Sequence, residues 1–198
     1  MLGLVQAPEQ LLLSLPRNSR LTKLTADLHL GLPDLTGRPI RIFVQPQLTA
    51  HRGRLLSRHP HKGVAIHAAS FIRERRIVLE TQLLRKTRLL RLILVHEIFH
   101  FVWARLGNRK RAEYAAIIQH ELASGAGGEL GESSDVKKTA RGPVGAPAWR
   151  DYVCESFCDT AAFLYAGVAG HATFTLAQRW IARRRKWFQE TFTTPCRF

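Results

Sequence analysis

The sequence predicts an α+β fold: a small antiparallel or mixed sheet packed on one long helix, with further helices C-terminal to it. Three observations predict it. Short runs with β-branched centres at 39–48, 63–71 and 76–80 come before any long helical pattern. A helical stretch follows, about Gln82 to Leu106, closed by Gly107-Asn108. Three more helical stretches come after it, Arg109–Ser124, Trp149–Gly167 and Thr173–Phe192. A chain of 198 residues with 45% hydrophobic content suits one domain and can bury a real core.

Each element has its own justification. Residues 1–38 read as an N-terminal extension, with short helices over Glu9–Leu15, stopped at Pro16, and Leu21–Leu30, ended near Gly31-Leu32-Pro33. Pro39 to Leu48 alternates and reads as a strand. Residues 49–62 read as a polar, basic loop, and its His51, His59 and His61 are weighed as a second metal site against plain solvation. Gly63–Phe71 and Arg76–Glu80 read as two strands joined by the charged turn Ile72-Arg73-Glu74-Arg75. Residues 125–148 are rich in Gly, Ser, Pro and charge and nearly free of large apolar groups, which predicts a flexible insertion at the surface. The stretch 173–192 places Phe174, Leu176, Trp180, Ile181, Trp187 and Phe188 among Arg179, Arg183, Arg184, Arg185 and Lys186, the pattern of an amphipathic basic helix.

The chemistry sits in the long helix. Ile93 to Val102 contains His96-Glu97-x-x-His100, and Glu97 is its only charged residue. Positions i and i+4 share one helical face, so both imidazoles can point at one ion. Glu97 lies beside the first histidine, where a carboxylate can take a proton from a water activated by the metal. That layout is one of zinc and general-base hydrolysis. An ordinary core helix would explain the apolar residues but gives no reason for Glu97 among them. A catalytic zinc needs a third protein ligand. No glycine and histidine follow His100 closely, which excludes a metzincin-type continuation. Glu155 and Asp159 are themselves i and i+4 in the next-but-one helical stretch. One can ligate while the other accepts a hydrogen bond from a ligating histidine. His120 and Glu121 are rivals for the third position. Cys154 and Cys158 are weighed as further metal ligands against the reading as small core residues. His171 and Tyr152 are weaker candidates to stabilise an oxyanion.

His96, Glu97, His100, Glu155 and Asp159 together resemble the gluzincins, of which thermolysin is the type. The small apolar run Ala161-Ala162-Phe163-Leu164 after the acid pair is similar to that of the compact ImmA/IrrE-type metallopeptidases. The resemblance covers roughly residues 63 to 167. It implies a zincin-like metallopeptidase domain over 39–198, with zinc held by His96, His100 and Glu155. Glu97 is then the general base, Asp159 supports a ligand histidine, and a protein or peptide is the substrate. It also implies that an edge strand between Gly63 and Glu80 binds an extended peptide by strand addition.

Net charge adds a second reading. Thirty Lys and Arg against fifteen Asp and Glu give +15, which raises affinity for nucleic acid or an anionic membrane surface. The basic helix 173–192 is the expected contact, in a regulatory protein whose metal site is structural or vestigial. Three cysteines, two of them a helical turn apart, do not form a disulfide framework and point to a reducing, cytoplasmic compartment. The N-terminal residues lack a basic leader before their apolar run, and no run reaches the length of a membrane span.

Overall fold

The computed structural model describes residues 13–14, 19–29, 31–59 and 62–197. Its chain order is β1 (Leu13–Ser14), α1 (Ser19–His29), β2 (Leu35–Thr36), β3 (Ile40–Gln45), β4 (Thr49–His51), β5 (Arg54–Leu56), β6 (Val64–Ala65), β7 (Ala68–Phe71) and β8 (Arg76–Glu80). A 3-10 turn (Thr81–Arg85) leads into α2 (Thr87–Arg105), α3 (Asn108–Ala123), α4 (Glu132–Thr139), α5 (Pro147–Tyr165), α6 (Gln178–Thr191) and β9 (Cys196–Arg197). The fold is α+β, as the run of strands before helices predicts.

The main sheet has the order β1-β3-β8-β7. β1 and β3 run parallel, as do β3 and β8, while β7 pairs antiparallel with β8. β8 is interior, and Ile77, Val78 and Leu79 are all fully buried, the continuous apolar run of a strand covered on both faces. β3 alternates instead, with Ile40 and Ile42 buried and Arg41 and Phe43 turned outward. β7 is left as an edge, paired on one side only among the described residues.

The helix expected from Gln82 to Leu106 is divided. Glu80 caps the 3-10 turn by accepting from the Gln82 N–H, and Lys86 leaves helical geometry before α2 begins at Thr87. α2 is the centre of the molecule: Leu94, Val95, Ile98, Phe99 and Val102 have no exposed surface. It packs on α5, and on β7 across its other side. The rings of Phe99, Phe157 and Phe188 meet, with Phe157 and Phe188 stacked at 5.0 Å, so α6 closes the core from outside.

Further expectations differ from the structure. The described residues of the 1–38 stretch belong to the domain: Leu21, Leu24 and Leu28 of α1 are buried in the core, and β1 extends the main sheet. Of the helix expected over Glu9–Leu15 only residues 13–14 are described, and they form a strand. Within the basic stretch expected as a loop, residues 49–56 form a hairpin. Arg52 and Gly53 both take positive φ (49° and 73°), the two-residue turn whose twist suits paired strands, and β6 joins as a third strand. The 125–148 segment holds α4 and buries Ala126, Glu129, Leu130 and Ser134. Its composition hides this because the segment is held by isolated side chains and backbone hydrogen bonds rather than an apolar stripe.

Candidate metal centre

α2 and α5 cross so that one face of each supplies the site. His96 Nε2 lies 3.1 Å from His100 Nε2 and 3.2 Å from Glu155 Oε2. His100 Nε2 lies 3.9 Å from the same carboxylate oxygen. Nitrogen or oxygen ligands at zinc distances, on three corners of a tetrahedron, stand about 3.4 Å apart. The three atoms therefore fit the corners around one such ion. The donor chemistry fits as well, two imidazoles and one carboxylate.

Asp159 holds the first histidine. Its Oδ1 accepts from His96 Nδ1 at 2.7 Å, and its Oδ2 accepts from the Ser134 backbone N–H at 2.8 Å. That leaves Nε2 of His96 as the nitrogen turned to Glu155. Gly131 makes room for this arrangement: a Cβ there would lie 2.2 Å from the Asp159 carboxyl carbon. Burial alone would lower the pKa of His96, but the Asp159 carboxylate outweighs it and holds the imidazole well above its ordinary value. Burial opposes ionisation of Asp159 and Glu155 too. The adjacent imidazoles prevail and keep both carboxyls below their usual values.

Glu97 is buried beside this cluster, and the Ser70 hydroxyl donates to its Oε2 at 2.5 Å. Ser70 belongs to the edge strand β7. A cleft of about 400 Å³ runs between β7 and the helices and is lined by Ala68, His96, Glu97, Glu155, His171 and Phe174, among others.

The remaining candidates divide clearly. Glu121 is not near the cluster chemically, since both its oxygens accept from Arg184, at 2.6 to 3.2 Å. His120 lies on the exposed rim of the same ion network, with Arg183 donating to its Nδ1 at 2.7 Å. Tyr152 donates to Glu129 in a buried network, so it does not serve the cleft. His171 lines the cleft and bonds Thr173 through Nδ1. His51 and His59 are exposed, and His61 lies outside the described residues. His96, His100 and Cys158 form a second group that could hold a metal ion, with ligand atoms within 4.8 Å of one another. Cys154 and Cys158 are not joined in a disulfide.

Ser70, Glu129, Ser134 and Arg184 carry roles that sequence reasoning missed. Only Arg184 had a local signal: it falls on the apolar stripe Trp180, Ile181, Trp187, Phe188 instead of opposite it. It is buried between Glu121 and Glu129, with Lys138 completing the balance on Glu129. The basic face of α6 is thereby reduced by one of its central arginines. No described helix is long and apolar enough to cross a membrane. No protein-family model, curated protein or solved structure matches the chain.

Proposed function

We propose that this chain is a zinc-dependent peptide hydrolase of the cytoplasm whose metal is held by His96, His100 and Glu155. The observation that carries the reading is the triangle of His96 Nε2, His100 Nε2 and Glu155 Oε2, with edges of 3.1, 3.2 and 3.9 Å. The set His96, His100, Cys158 is less suited to the same ion. Cys158 Sγ lies 3.4 Å from Nδ1 of His100, whereas His100 turns Nε2 toward His96.

A zinc ion in such a site supplies a Lewis acid that lowers the pKa of water and polarises a peptide carbonyl. The chain's own residues do the rest. Glu97 takes the proton from the attacking water and passes it to the departing amine. Ser70 fixes one oxygen of Glu97 and leaves the other for that water. β7 presents its free edge along the cleft, where an extended peptide adds as a further strand through backbone hydrogen bonds. His171, on the cleft wall, is the group available to donate to the developing oxyanion.

The test is Glu97→Gln. The variant keeps zinc at the wild-type level and loses hydrolysis of a casein or peptide-library substrate. A Glu97→Gln protein as active as wild type contradicts the reading.

A further inference from the structure

We propose that Cys154, Cys158 and the Nδ1 nitrogen of His100 form a second metal site, for a soft thiophilic ion, on the Nδ1 side of the His100 ring. The two cysteines are i and i+4 on α5, so they share one helical face. His100 of α2 points its Nδ1 at that face, 3.6 Å from Cys154 Sγ and 3.4 Å from Cys158 Sγ. A tetrahedral ion with metal–sulfur bonds near 2.3 Å and metal–nitrogen bonds near 2.0 Å separates sulfur and nitrogen by about 3.6 Å. The observed spacings match. Two sulfurs and one imidazole nitrogen select soft ions over hard ones. Cys158 is fully buried and Cys154 is half-buried, which gives the site a floor and an entry.

The site does not rest on the hydrolase reading, because it uses sulfur in place of Glu155 and the other nitrogen of His100. It does bear on that reading. A neutral imidazole has one lone pair and one N–H. An ion that takes Nδ1 leaves the proton on Nε2, and Nε2 then no longer ligates beside His96 and Glu155. A soft ion among the thiols is therefore an antagonist of the first site.

The test is titration of the full chain carrying Cys196→Ser, stripped of metal, with cadmium chloride, read by the thiolate-to-cadmium absorbance in the ultraviolet. The expected result is a band that saturates at one ion per chain, persists in Glu155→Ala, and is lost in Cys154→Ser and in Cys158→Ser. Cys158→Ala is measured beside them, and circular dichroism checks that each variant is folded. No band in the parent chain overturns the proposal. So does a band that vanishes in Glu155→Ala yet survives either cysteine change. If the chain takes no zinc but the cadmium band behaves as expected, the hydrolase reading fails and the thiol site stands.

Discussion

Asp159 joins two parts of the chain that the sequence keeps apart: one oxygen holds His96 at 2.7 Å and the other holds the Ser134 backbone N–H at 2.8 Å. The His96 cluster and the 125–148 segment thus share a single carboxylate. Removing it should loosen both. Asp159→Ala is expected to weaken zinc about 10- to 100-fold, as loss of a partner to a ligating histidine does elsewhere. Competition with a chelator of known affinity measures it, and an unchanged zinc affinity contradicts the role given to Asp159.

The same junction predicts an effect at a residue that touches no metal ligand directly. A Cβ at Gly131 would stand 2.2 to 2.4 Å from the carboxyl atoms of Asp159. Gly131→Ala must therefore displace either the carboxylate or the start of α4. The expected cost is about 1–3 kcal/mol of stability, as for other overpacked sites. Zinc affinity is expected to fall with it. Urea unfolding and chelator competition on one sample test this; a variant unchanged in both shows that the two segments slide apart freely.

Arg184 is buried, and it separates two buried carboxylates, Glu121 and Glu129. Lys138 reaches only Glu129, at 3.5 Å. Arg184→Met leaves Glu121 without its cation and is expected to lose about 3–5 kcal/mol, as for other broken buried ion pairs. Adding Glu121→Gln should restore part of the loss. Denaturant midpoints of the single and double variants measure it, and additive losses would show that the pair does not act as one unit.

Stability of the chelator-treated protein should depend on pH from both sides. Asp159 and Glu155 have depressed pKa values, so their contribution is present above the ordinary 3.8 and 4.5 and is lost as pH falls through the lower folded values. His96 is raised, so its contribution is complete below 6.5 and declines from there until its folded value is passed. The melting temperature is expected to be highest between about 4.5 and 6.5. A melting temperature that climbs steadily to pH 8 contradicts the charged His96–Asp159 pair.

Much of the cluster was legible in the sequence, because helical periodicity alone puts His96 with His100 and Glu155 with Asp159. What periodicity could not show was which faces meet. Glu121 also sits on a regular helix, and only the packing of α6 assigns it to Arg184 rather than to a metal. Ser70 meets Glu97 because the β7–β8 register and the α2 contact bring them together across 27 positions, a long-range relation with no local trace. The 125–148 segment misled by composition: its buried groups are single side chains and a backbone N–H, none of which forms a periodic pattern.

Glu155 is proposed to complete the site, and zinc per chain in wild type and in Glu155→Ala tests this most directly. Elemental analysis after dialysis against limiting zinc is expected to find one zinc in the wild type and little or none in the variant. Equal zinc in both proteins, or none in either after reconstitution, contradicts it.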